Sequence, residues 1–318
     1  MKKGFVNFIL HAHLPYVRHP EYESFFEENW LFEAITESYI PLINVFDRLD
    51  KDGIKFRLTL SLSPTLISML TDELLQARYR NYIDKRIELA EKEILRTRKK
   101  PQYQKLARLY RRFFVNVKET YQHYQGDLLI AFKKYHTTGH LELITTAATH
   151  GFLPVLNIND TAVQQQIELG IDSFNSNLGF SPSGFWLPEC GFYPGLENNL
   201  SKAGIDYFFT DSHGLLDASD KTNVNVFAPV DCGNGVLAFA RDPKASRQVW
   251  SDDHAYPGNE NYREYYSDIG FELEQPYITP YMLNDQDRIN TGIKYHRITA
   301  EGGDKQFYQP KTAQYQIA

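Results

Sequence analysis

Glu189 sits in the stretch GFWLPECGFYPG, directly after Phe185, Trp186, Leu187 and Pro188. A carboxylate flanked by Trp186 and Phe192 is expected to be partly desolvated, and burial raises a carboxyl pKa unless cations or donors oppose it. His11, His13, His150 and Arg241 are the groups that could oppose it. With them, Glu189 stays ionised, as a nucleophile must. Without them the same burial makes a general acid. The plainer alternative is a glutamate that hydrogen-bonds a neighbouring loop. His11-Ala12-His13 raises a second possibility, because residues i and i+2 of an extended segment point the same way and two imidazoles can begin a metal site. Asp211 or His150 could extend it, but no closed ligand set is identifiable, so neither a metal nor any cofactor is expected.

The elements that must position these groups are short apolar runs. Residues 5–10 (FVNFIL), 56–62 (FRLTLSL), 141–147 (LELITTA), 184–187 (GFWL), 205–210 (IDYFFT), 225–230 and 236–240 each end in polar residues. Each has the length and the β-branched or aromatic content of a buried strand. His11, His13, His150, Glu189, Asp211, His213, Asp231 and Arg241 all fall at or just past such an end. A single histidine after a strand is usually a hydrogen-bonded structural residue. Recurrence at equivalent positions points to a polar cleft, since the C-terminal strand ends of a parallel barrel face its active site.

Between the runs lie helical patterns. Val163, Ile167, Ile171, Phe174 and Leu178 share one face of a helix over 160–178, and Gly179 supplies the stop. A shorter helix over 195–203 is closed by Gly204. Strand–helix alternation predicts an α/β fold with a parallel sheet, a (β/α) barrel of about seven strands, incomplete or distorted. Residues 71–139 depart from the rhythm. Leu75, Tyr79, Ile83, Ile87, Ala90 and Ile94 form one stripe, and Tyr103, Leu106, Tyr110, Phe113, Val117 and Tyr121 a second, with Pro101 breaking between them. Lys and Arg crowd the other faces, which predicts a helical insertion with a solvated basic face, a nucleic-acid or partner surface being the alternative. Over 250–318 the periodicity fades into long loops rich in Asp, Tyr, Pro and Gly, which are uncommon in compact domains unless they are functional. The expected organisation is one catalytic barrel domain over 1–318.

Composition narrows the class. The 318 residues are 42% hydrophobic and 23% charged, as in globular proteins, and the net charge of −6 argues against phosphate-backbone binding. Aromatic content is 14%, with 21 Tyr and 21 Phe; such rings are platforms for sugars, though large cores also use them. Two cysteines make neither a disulfide framework nor a four-thiolate zinc site. The apolar run at the start is broken by His11, no small-residue cleavage site follows, and no stretch approaches the roughly 18 apolar residues of a membrane span. A cytoplasmic protein without membrane or nucleic-acid partners is expected.

Several stretches resemble, in order, the motifs of glycoside hydrolase family 57. They are His11-Ala12-His13-Leu14-Pro15-Tyr16, Trp30-Leu31-Phe32-Glu33, Gly139-His140-Leu141-Glu142 through His150, and Trp186-Leu187-Pro188-Glu189-Cys190-Gly191, followed by a later series. That series, Ala240-Arg241-Asp242-Pro243, Gln248-Val249-Trp250-Ser251, Tyr256-Pro257-Gly258, Tyr262-Arg263-Glu264 and Thr291-Gly292-Ile293-Lys294-Tyr295, is similar to the α-1,4-glucan branching enzymes of the family. The resemblance implies a distorted (β/α)7 barrel that acts on an α-glucan by retaining double displacement. Glu189 maps onto the nucleophile, and His11, His13, Trp30 and His150 onto the donor subsite. Asp211 and His213 are read as cleft-lining. Trp186, Arg241 and Trp250, which lie within matched motifs, are counted with the substrate-binding residues.

One departure stands out. A retaining mechanism needs a second carboxyl roughly 5–5.5 Å from the first. The resemblance implies an Asp well beyond the TGIKYHR stretch, and no matching motif precedes Ala318. The chain is therefore expected to be a truncated form without the acid/base and the helical C-terminal region, with little transferase activity alone. Rival readings are a family 57 α-amylase or 4-α-glucanotransferase, a metal-dependent polysaccharide deacetylase built on the HxH pair, and a non-catalytic glucan-binding protein. Product linkage, metal content and binding without turnover separate them.

Overall fold

The computed structural model describes residues 4–218, 223–250, 256–283, 287–299 and 303–316. Ser251 of the QVWS motif and parts of the 250–318 loop prediction lie outside the described residues.

Seven strands are present among the described residues: β1 (Ile9–Ala12), β2 (Leu58–Leu62), β3 (Leu141–Thr146), β4 (Gly184–Trp186), β5 (Tyr207–Thr210), β6 (Val230–Asp231) and β7 (Leu237–Ala240). The helices are α1 (Glu28–Ala34), followed by a π turn (Ile35–Tyr39), then α2 (Ile40–Lys51), α3 (Pro64–Leu70), α4 (Glu73–Arg96), α5 (Pro101–His123) and α6 (Leu128–Thr137). After them come α7 (Leu153–Leu156), α8 (Asp160–Leu178), α9 (Leu196–Lys202), α10 (Ser212–Leu216), α11 (Pro243–Trp250), α12 (Ile269–Glu272), α13 (Gln275–Ile278) and α14 (Pro310–Tyr315). The chain divides into two compact units. One comprises Met1–Arg18, Leu42–Glu73 and Gly126–Pro243; the other comprises His19–Pro41, Leu74–Gln125 and Lys244–Ala318.

The first unit contains the whole sheet, in the order β1-β2-β3-β4-β5-β7-β6. Its neighbours are parallel except β6 and β7, which are antiparallel. The 225–230 run is thus corrected: only Val230 of it is strand, and β6 turns back through the Asp231–Gly235 loop instead of crossing over a helix. No pairing joins β6 to β1 among the described residues, so the seven-stranded α/β barrel is distorted and its ring of ladders is open. Strand alternation sorts the side chains. Phe185, Leu187 and Phe208 point to one face and pack with Val163, Ile167, Leu196 and Leu200 of α8 and α9. Each such side chain contributes about 1.5–3 kcal/mol when fully buried. Trp186 and Phe209 point the other way, to Ile144 and Cys190. That second face carries the site.

Helix α8 has the bounds that the periodicity predicts. Asn159 caps it, accepting from the N–H groups of Thr161 (3.1 Å) and Ala162 (3.4 Å), and Gly179 ends it at φ 86°. At Gly170 the helix lies against β3 so closely that an added Cβ would fall 2.4 Å from the Thr146 carbonyl oxygen.

The second unit holds no strand among its described residues. Helices α4 and α5 bury Leu75, Tyr79, Ile83, Ala90, Leu106, Tyr110, Val117 and Tyr121, as their stripes predict. Arg86 and Glu93 lie on the buried face too, where the prediction had placed charge only on solvated faces. Glu93 accepts from Arg96 (2.6 and 2.7 Å), Tyr277 Oη (2.8 Å) and Tyr295 Oη (2.7 Å). The segment predicted as loops has little regular structure, yet it is packed. Asp268, fully buried, accepts from the N–H groups of Gly270 (2.8 Å), Thr291 (2.9 Å) and Gly292 (2.9 Å) and from the Thr291 hydroxyl (2.7 Å). A carboxylate serving as the hub of backbone donors leaves no hydrophobic period for a sequence to display. Among the described residues, no helix is long and apolar enough to cross a membrane.

Candidate active site

The ends of β1, β3 and β4 bring three imidazoles and an indole together. His11 is inside β1, in register with Ser61 of β2, and its Nδ1 lies 3.1 Å from the Ser61 hydroxyl. His11 stacks on Trp186 with centroids 4.5 Å apart and planes 10° apart. On its other side are His150 at 5.0 Å and His13 at 5.9 Å, and His13 stacks on His150 at 3.8 Å. His150 has φ 55°, which lets its side chain fold back over the end of β3 so that Nδ1 meets the Thr146 hydroxyl at 3.2 Å.

Burial, reinforced by the neighbouring imidazoles, controls their charge. His11 is pushed down to about 2 by burial first, then by His150 and His13. Burial and His13 push His150 down to about 4. His13 is lowered by burial as well, with Glu189 pulling the other way. The cluster is therefore neutral at physiological pH, and its polarity is that of hydrogen-bonding imidazole.

Glu189 stands beside it, with Oε1 3.8 Å from His150 Nε2. That separation is too long for a direct hydrogen bond. Residues Pro188–Cys190 form a single 3₁₀ turn in which Glu189 (φ 51°) and Cys190 (φ 56°) both take left-handed conformations. Strain of this kind costs of order 1–3 kcal/mol per residue and gathers at functional sites. The turn is held by the Cys190 N–H on the Leu187 carbonyl (2.8 Å) and by the Thr210 hydroxyl on the Cys190 carbonyl (3.1 Å). It directs Leu187, Pro188 and Cys190 into the core and Glu189 outward.

The expected desolvation of Glu189 is thereby corrected. Its side chain is 79% exposed. The two aromatic rings expected to flank it are engaged elsewhere: Trp186 stacks on His11, and Phe192 stacks on Phe208 at 5.4 Å. The turn, more than a hydrophobic pocket, places this carboxylate.

Asp211 caps α10 and is paired with Arg241; its Oδ1 is also 3.7 Å from His213 Nδ1. Burial alone would raise Asp211, but Arg241 and the donors of Ser212 outweigh it and hold the carboxyl below its usual range. His213 is mostly exposed. Asp231 ends β6, and its carboxylate accepts from the N–H groups of Gly233 (2.8 Å) and Gly235 (3.3 Å) in the turn that follows. Trp30 and Trp250 belong to the second unit; Trp30 is partly exposed beside Phe26, and Trp250 is 77% exposed.

The sequence reading missed the hydroxyls. Ser61, Thr65, Thr146 and Thr210 each hold an imidazole or the Glu189 turn from beneath. For Ser61, Thr146 and Thr210 the signal was present as polar residues within or ending buried runs, LTLSL, LELITT and YFFT; Thr65, in α3, gave none. Among the described residues, no group of three His, Cys, Asp or Glu side chains has metal-holding geometry. Both cysteines are free.

An exposed carboxylate on a rigid turn, beside neutral imidazoles and an aromatic face, can attack an electrophilic carbon while the imidazoles hold hydroxyl groups. Comparison with known proteins finds relatives of this chain among carbohydrate-active enzymes. A 1,4-alpha-glucan branching enzyme of Thermococcus kodakarensis is 32% identical over 347 residues, covering 99% of this chain and 47% of that protein. The crystal structure of an alpha-amylase of Thermotoga maritima superposes with a TM-score of 0.95 at 44% identity, over 99% of this chain and 61% of the other. A branching enzyme of Pyrococcus horikoshii superposes with a TM-score of 0.84 at 32% identity, over 99% and 57%. The chain thus spans about half the length of the curated relative and about 60% of the solved ones. The model of glycosyl hydrolase family 57 matches residues 7–311, and the chain belongs to that family.

Proposed function

We propose that the chain carries the nucleophile and donor-side machinery of a 1,4-α-glucan branching enzyme. Glu189 attacks the anomeric carbon of an α-1,4-glucan, the glycosidic bond breaks as its oxygen takes a proton from a second carboxyl acting as general acid, and the glycosyl group is held on Glu189. A sugar 6-hydroxyl then gives its proton to that second carboxylate and takes the glycosyl group in place of water, freeing Glu189 and making an α-1,6 branch with net retention. The observation that carries this reading is Glu189 on a left-handed turn beside three stacked neutral histidines and Trp186. His11, His13 and His150 serve the donor sugar as hydrogen-bonding groups, Trp186 as the wall behind them, and His213 and Arg241 as further substrate contacts. The whole of 1–318 works as one catalytic domain in this proposal.

The acid/base role is not given to Asp211. A general acid needs a raised pKa, and Arg241 holds Asp211 ionised. Asp211 lines the cleft as the anchor of Arg241.

A second reading, α-amylase, is favoured by the 44% identity to the Thermotoga maritima enzyme. Amylose treated with the purified protein distinguishes the two: debranching digestion counts new α-1,6 linkages, and new reducing ends count hydrolysis. Even at the low turnover expected of this chain alone, branching predicts new linkages with few new ends, and Glu189→Gln should abolish them. Full activity in that variant would overturn the assignment of the nucleophile.

A further inference from the structure

The threonines beneath the histidine cluster settle which ring nitrogens carry protons. A hydroxyl has one proton to give and can accept as well, whereas a carbonyl oxygen only accepts. Thr146, fully buried, donates to the Trp186 carbonyl at 2.7 Å, the shorter of its two bonds. Its remaining contact, His150 Nδ1 at 3.2 Å, must then be a donor. Thr65 repeats the arrangement, donating to the Leu14 carbonyl at 2.8 Å while His13 Nδ1 lies at 3.5 Å. Ser63 does not compete for the Thr65 proton, because its own hydroxyl is free to donate to Thr65 at 3.1 Å while accepting from the Leu66 N–H. Both imidazoles are held neutral by burial, so each has a single ring proton.

We infer that Thr146 and Thr65 are positioning residues whose hydroxyls fix His150 and His13 as Nδ1–H tautomers, leaving both Nε2 atoms as acceptors for substrate hydroxyls. In water the Nε2–H tautomer of imidazole predominates, so the protein holds these two rings against their ordinary preference. The consequence is chemical. His150 Nε2 and the Glu189 carboxylate, 3.8 Å apart, are both acceptors and cannot bond each other. A donor between them satisfies His150 without protonating the nucleophile, and a sugar hydroxyl is such a donor. A wall of acceptors selects a ligand rich in O–H groups, and this use of the tautomers rests on the glycosyl-transfer reading above. The tautomers themselves do not.

The test is long-range ¹H–¹⁵N correlation on protein labelled at histidine nitrogens, at neutral pH and without substrate. His150 is assigned by the signals lost in His150→Asn, since asparagine tolerates the positive φ at that position. The expected spectrum shows His150 and His13 protonated at Nδ1. Thr146→Val should flip His150 alone to Nε2–H, with His13 unchanged as the control for folding, and Thr146→Ser should restore Nδ1–H. In the substrate arm, Thr146→Val should lower kcat about tenfold or more with KM little changed, the scale on which partners that orient an imidazole act. Nε2–H on His150 in the unmodified protein overturns the inference, with no variant needed. An unflipped ring in Thr146→Val overturns it equally. Correct tautomers with no glycosyl adduct on Glu189 from an activated α-glucosyl fluoride would leave the inference standing and remove the glycosyl-transfer reading instead.

Discussion

His150 shows how much of the site is set by local physics. Its ring is neutral because burial and His13 hold it to about 4, and His11 is held lower still, to about 2, by the same cause. The usual imidazole value is about 6.5. Below that value the unfolded chain binds protons that the folded rings refuse, so stability rises with pH through the window from about 4 to about 6.5 and levels off above it. The slope is about 1.4 kcal/mol per pH unit for each such histidine. Urea midpoints measured across that window should show the slope, and His150→Asn should flatten it by about one proton. A midpoint independent of pH would mean that these rings are charged in the folded protein. Asp211 runs the other way. Its folded pKa is depressed, so its contribution is present above the ordinary carboxylate range and is lost as pH falls through the folded value. WLPECG singles out Glu189 as the carboxylate proposed for the site, but its exposure was not legible there. Exposure depends on two consecutive left-handed residues, a conformation that Glu and Cys do not advertise.

At the scale of elements, the sequence displayed what is periodic. Helix α8 could be read from its apolar spacing and its terminal glycine because each signal is local. The buried Arg86 and Glu93 and the packed segment around Asp268 could not, since each depends on partners far away in sequence, and β6, a two-residue strand, is too short to show a period. The approach of α8 to β3 at Gly170 makes a sharp prediction. Alanine has the better helix propensity by about 0.8–1 kcal/mol. Even so, Gly170→Ala should destabilise the protein, by about 1–3 kcal/mol, because its Cβ would meet the Thr146 carbonyl oxygen at 2.4 Å and push the helix off the strand. Thermal unfolding decides the sign. A gain in Tm would show that the two elements have room to spare.

Over the whole molecule, the two units are built on different principles. One is a parallel sheet with apolar layers. The other has no strand among its described residues and is organised around buried carboxylates, Glu93 and Asp268. Asp268→Ala removes the acceptor for three backbone N–H groups and leaves Lys294, 3.6 Å away and itself buried, without its counter-charge. A loss of about 3–5 kcal/mol follows when one partner of a buried pair is removed. Hydrogen exchange should accelerate first at Thr291–Tyr295, with the strands β1–β5 protected as before; uniform acceleration would contradict a hub local to the second unit. The central claim, that Glu189 accepts the glycosyl group, is tested most directly by covalent trapping. The protein is incubated with a fluorinated α-glucosyl fluoride that forms the intermediate faster than it releases it, and the peptides are then mapped by mass. A glycosyl adduct on Glu189, absent from Glu189→Gln, is the predicted result; an adduct on another carboxylate, or retaining turnover by the Gln variant, would contradict the account.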